Sequence, residues 1–140
     1  MGQWKEFDHT ADVGIEVYGK SLEDLFQTDG EAFAELTTNP KTIKGSKSVK
    51  IKIKEDELEF LFKEFFDELL FLLETKDLII TKFSNWKIVE GKGLSVTAKG
   101  GIWDIDKHES RTEIKQTTYQ MLKVKQINDD LWYGKVLFDV

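Results

Sequence analysis

The sequence predicts an α+β fold in which two helices pack on mostly antiparallel, strongly twisted β-structure. Three observations carry this. Two stretches with helical spacing of apolar residues lie in the first half, Leu22 to Leu36 and Glu57 to Thr75. Between them Ser48–Lys54 (SVKIKIK) alternates strictly. After Lys76 the chain breaks into short runs punctuated by glycine and ends in a pair that reads as a hairpin. A length of 140 residues with 40% apolar content fits one domain over residues 1–140 with a single core.

The elements follow in order. Gly14–Tyr18, with Ile15 and Val17, reads as a strand, and Gly14 and Gly19 look ready for turns. Ser21 with Asp24 resembles a capping box, Asp standing in for the usual Glu or Gln. Leu22, Leu25, Phe26, Phe33 and Leu36 then keep helical spacing; Gly30 is expected to weaken or bend that helix, and Pro40 to end it. In SVKIKIK the lysines face one way and Val49, Ile51 and Ile53 the other, a half-exposed strand. In the second helix Lys63, Glu64, Asp67 and Glu68 fall within an arc of roughly 140° and apolar residues fill the rest, so it is buried on more than one flank. Phe60 and Phe71 project into the middle of that charged arc. Either a loop or strand covers them, or they form a docking surface for another protein. Strands are expected at Leu78–Phe83, Asn85–Glu90, Gly93–Lys99, Glu113–Ile127 and Leu131–Val140, the last two joined by the turn Asn128-Asp129-Asp130.

Composition excludes several classes. With no cysteine there is no disulfide framework and no thiolate metal site. Met1–Lys5 leads into a charged segment with no signal-peptide pattern, and a cytoplasmic protein is expected. The greasiest stretch, Leu58 to Glu74, is interrupted by charges including Lys63, Glu64, Asp67 and Glu68 and reads as a core helix, so no membrane association is expected. The net charge is −6, with lysines scattered among more numerous acids, which argues against strong direct nucleic-acid binding. High Lys and Glu without Cys is also the composition of heat-adapted proteins. No nucleophile elbow, phosphate-binding loop, zinc-protease helix or EF-hand is present.

Both histidines sit in acidic company: His9 between Asp8 and Asp12, and His108 near Asp104. Either cluster reads equally well as carboxylates capping a turn. The end of the chain is less ordinary. Asp139 precedes Val140, so a side-chain carboxylate and the α-carboxylate are neighbours. If the last strand lies beside the first, Asp12 meets both, and three carboxylates in one place repel unless a cation holds them. All-oxygen ligands favour a hard ion, Ca²⁺ before Mg²⁺ or Mn²⁺, over Zn²⁺. The alternative is a frayed terminus.

The same residues carry a resemblance. DHTADVGIEVYGKSLEDLF resembles the opening segment of the archease family, DELLFLLE its middle helix, and TEIKQTTYQMLKV with LWYGKVLFDV its final hairpin. Gln116, Gln120, Asp67 and the segment QTDGEAFAEL depart from the usual pattern. The resemblance implies a small non-catalytic accessory protein. It would work with the RNA ligase of tRNA splicing, promoting the ligase's guanylylation and multiple turnover. It also implies a divalent cation on Asp12, Asp139 and Val140, and an activating role for Lys115. Two other readings stay open. One is a metal-dependent hydrolase of nucleotides or phosphoesters with His9 or His108 as base beside Asp12 or Asp104. The other is a general chaperone-like interaction module.

Overall fold

In a computed structural model, which describes residues 2–140, two helices lie between a four-stranded and a three-stranded antiparallel sheet. The strands are β1 (Gln3–His9), β2 (Asp12–Gly19), β3 (Lys47–Lys54), β4 (Leu78–Val89), β5 (Gly93–Ile102), β6 (Gln116–Asn128) and β7 (Leu131–Asp139). The helices are α1 (Leu22–Thr37) and α2 (Leu58–Lys76). The sheet orders are β1-β2-β7-β6 and β3-β5-β4. Among the described residues no helix is long and apolar enough to cross a membrane.

The predicted α+β class is what the chain adopts. Each helix is buried because each touches both sheets: α1 packs on β2 and β4, and α2 on β6 and β4. Consecutive α2 residues divide the work. Phe66 meets Phe138 of β7 with ring centroids 5.3 Å apart, while Phe65 meets Phe83 and Trp86 of β4, each at 5.7 Å. This explains an amphipathic helix with too much apolar surface for a single contact face. At the start of α1 the Ser21 hydroxyl accepts from the Asp24 amide at 3.1 Å. The return bond runs from the Lys20 amide to Asp24 Oδ2 at 2.8 Å, one residue earlier than in the usual box.

Four sequence expectations need correction. Gln3–His9 was not anticipated as a strand, yet β1 pairs with β2 along its whole length, Gln3 opposite Tyr18 and His9 opposite Asp12. Its burial is partial, so the alternation is weak. The two short strands expected between Leu78 and Glu90 are one, β4, interrupted by a register shift between Ser84 and Lys87 with Asn85 at φ 57°. The last long strand begins at Gln116, because Arg111 and Thr112 donate their amides to the carbonyls of Thr37 and Leu36 at the end of α1. Gly14 is not a turn residue; it sits inside β2, where the Phe7 ring crosses it, 2.2 Å from where a Cβ would stand.

α1 runs through Gly30 without interruption. A Cβ there would lie 2.2 Å from the Phe83 ring. Gly30→Ala is therefore expected to destabilise by about 1–3 kcal/mol from overpacking, whereas helix propensity alone predicts a gain of about 1 kcal/mol. The sign of the change in urea midpoint decides between them.

One residue contradicts its surroundings. Asp29 lies on the core face of α1, between Leu25 and Phe26 on one side and Ala32 and Phe33 on the other, and is 0% exposed. Neither carboxyl oxygen has a hydrogen-bond partner. Burial pushes its pKa well above the ordinary carboxylate range.

Candidate functional site

The segment FDHTADVG is a hairpin. β1 and β2 are joined by Thr10 and Ala11, with Ala11 at φ 65°, a left-handed conformation that costs a residue bearing a Cβ about 1–2 kcal/mol. The tight connection places His9 directly opposite Asp12. β2 in turn pairs with β7 so that Asp12 is opposite Asp139, and β6 pairs with β7 so that Gln116 is opposite Asp139. His9, Asp12, Asp139 and Gln116 thus form one row across all four strands. The head and the tail of the chain converge.

Register also decides which way these side chains point. Val13, Ile15 and Val17 of β2 and Val136 and Phe138 of β7 belong to the core. Alternation therefore sends Asp12 and Asp139 to the outer face of the sheet. Glu16 and Tyr133 share that face, and the tyrosine hydroxyl donates to Glu16 Oε2 at 2.5 Å. That bond holds the Glu16 carboxyl below its usual range. Asp8 points to the other face from His9 and does not join the row.

Two carboxylates directly opposite each other on adjacent strands repel. Among the described residues no lysine or arginine comes within 4.0 Å of either. Asp139 Oδ2 accepts only from the neutral Gln116 amide, at 3.2 Å. His9 Nδ1 stands 3.9 Å from Asp12 Oδ2, too far for a hydrogen bond, and it is buried without a partner. Among the described residues no three His, Cys, Asp or Glu side chains gather as a complete metal cluster. A cation here needs main-chain oxygens as well. Val140, the next residue after Asp139, packs its side chain against the core.

The remaining candidates lie elsewhere. The Lys115 amide donates to the Asp139 carbonyl at 2.8 Å, so its backbone adjoins the row. Its side chain lines a cavity of about 430 Å³ with Leu70, Trp103, Ile114, Glu74 and Glu113. Asp104 and His108 form a closed turn. The Asp104 amide donates to His108 Nδ1 at 2.9 Å, the His108 amide donates to the Asp104 carbonyl at 2.8 Å, and the Asp106 amide donates to Asp104 Oδ1 at 2.9 Å. Phe60 and Phe71 are eleven residues apart on α2 and therefore on one face, offset by about 20°. They are 43% and 54% exposed, and Phe60 has the Tyr119 ring of β6 against it, with centroids 5.8 Å apart. Asp29 escaped the sequence reading, although its position in the apolar stripe of α1 could have shown it.

Known proteins match the chain along nearly its whole length. The family model described as Archease protein family (MTH1598/TM1083) matches residues 4–140. The chain is 32% identical to Protein archease of Pyrococcus furiosus over 143 residues, covering 100% of both chains. It is 32% identical to Protein archease of Methanosarcina barkeri, covering 99% of this chain and 96% of the relative. The solution structure of Methanobacterium thermoautotrophicum protein 1598 is similar with a TM-score of 0.80 at 27% identity, over 98% of each chain.

Proposed function

Because the chain belongs to the archease family, we propose that it is a non-catalytic accessory protein that activates the RNA ligase of tRNA splicing through a divalent-cation site at the end of its four-stranded sheet. The observation that carries the reading is the pairing of Asp12 with Asp139. Two outward carboxylates with no lysine or arginine within 4.0 Å form an oxygen donor set that suits a hard divalent cation. Asp12 and Asp139 would hold it, with main-chain oxygens of Val140; Ca²⁺ suits the irregular set best.

When bound, the cation supplies positive charge that a phosphate-bearing partner can use. The chain's own residues orient the site. The β1–β2 hairpin sets Asp12, and the Gln116 amide with the Lys115 main chain sets Asp139. Lys115, which lines the cavity and whose amide joins the Asp139 carbonyl, would supply a second positive charge to the ligase's nucleotide. Phe60 and Phe71 offer an apolar contact for the ligase on α2.

The hydrolase reading is left with His9 as its base, because His108 Nδ1 is engaged within its own turn. Asp139→Asn is expected to abolish calorimetric Ca²⁺ binding and stimulation of ligase guanylylation, while the melting temperature without metal stays unchanged. Undiminished stimulation by this cation-free variant would refute the proposal. Phosphoester turnover by the purified protein alone would favour the hydrolase.

A further inference from the structure

The lysines that look scattered along the sequence are gathered by the second sheet. Its inner face carries Ile51, Val96 and Ala98, which belong to the core. The strand registers then define the outer face row by row. Lys82 lies beside Lys99, which faces Ser48; Ser84 beside Thr97 and Lys50; Lys87 beside Ser95 and Lys52; Val89 beside Gly93 and Lys54. No acid occupies any of these positions.

Two lysine rails, on β3 and β4, thus flank a strip of hydroxyls about 10 Å wide, and lysines alternate along β3 at about 6.8 Å. Lys92, in the β4–β5 turn, joins Lys52, Lys54 and Lys87 around a shallow hollow floored by Gly93 and Ser95. Among the described residues none of these seven lysines has an ion-pair partner within 4.0 Å. These seven are about a third of the chain's 20 basic residues, and the acids Glu90 and Glu55 adjoin only the Lys92 end, where the Glu55 amide donates to the Lys92 carbonyl. Lys82 directly beside Lys99 is a repulsive pair left in place.

We propose that the outer face of the β3-β5-β4 sheet binds the phosphate backbone of a double-stranded nucleic acid. The residue types select this occupant. Lysine is depleted at protein–protein interfaces, and this face lacks the aromatic and arginine anchors such interfaces use. Val89 is its only large apolar residue, which is too little to seat in a bilayer. No aromatic ring faces outward here, so unstacked bases find no platform. What remains is phosphate contact by ammonium and hydroxyl groups, which positions a duplex without reading its sequence. The inference is independent of the cation site, which lies on the other sheet.

The test is fluorescence anisotropy with short RNA and DNA duplexes across a salt series, on the full chain. Both duplexes are expected to bind at low salt. The triple variant K50E, K52E and K87E is expected to lose about 100-fold in affinity and to flatten the salt slope by about three. A control triple at Lys20, Lys76 and Lys123, each to Glu, is expected to bind as the parent does. Unchanged circular dichroism and melting temperature in both triples show that folding is intact. Absence of duplex binding at low salt overturns the proposal. So does equal loss in both triples, or tighter binding to single strands, polyglutamate or phosphatidylserine vesicles than to duplex.

Discussion

Phe65→Ala is expected to lower the free energy of unfolding by about 3–5 kcal/mol, enough to unfold much of a marginally stable domain. Phe65 is fully buried and its ring meets those of Phe26, Phe66, Phe83 and Trp86. It therefore joins both helices to the three-stranded sheet. Truncation removes the transfer energy of the ring and leaves a void that rigid neighbours close only in part. Phe71→Ala on the same helix is the comparison. That ring is 54% exposed, and its loss is expected to stay within about 0.5 kcal/mol. Urea denaturation of the two variants measures the contrast. Equal losses would mean that α2 is not packed as described.

Asp29→Ala is expected to do the opposite and raise stability by about 1–3 kcal/mol at neutral pH, because it removes a buried carboxyl whose oxygens are unpaired. Its pKa is raised in the folded state by burial. In the window from the ordinary carboxylate range up to that raised value, the native state holds a proton that the unfolded state has released. Stability is therefore full below the unfolded pKa and falls as pH rises through the window, by about 1.4 kcal/mol per pH unit. In Asp29→Ala that fall should disappear. Chemical denaturation of both proteins across the pH range tests this, and parallel pH profiles would show that Asp29 is not buried as a lone acid.

Much of this was legible in the residues. The two helical stretches, the Ser21 cap, the β3 alternation and the closing hairpin rest on local periodicity and capping, which neighbouring residues set among themselves. The DHTAD segment and the terminal Asp139 were recognisable as unusual for the same reason, and their carboxylates are indeed register partners. β1 was missed because a strand exposed on much of both faces has little alternation to display.

The sequence by itself determined the fold class, the family and which carboxylates stand out, because these are written in local pattern and in motif order. Only the tertiary structure decided which side chains share a face. It put Asp8 away from Asp12, seated Gly30 under Phe83, and assembled seven lysines on one sheet surface. The reason is strand register: a shift of one residue reverses every side chain, and register is set by contacts between segments far apart in the chain.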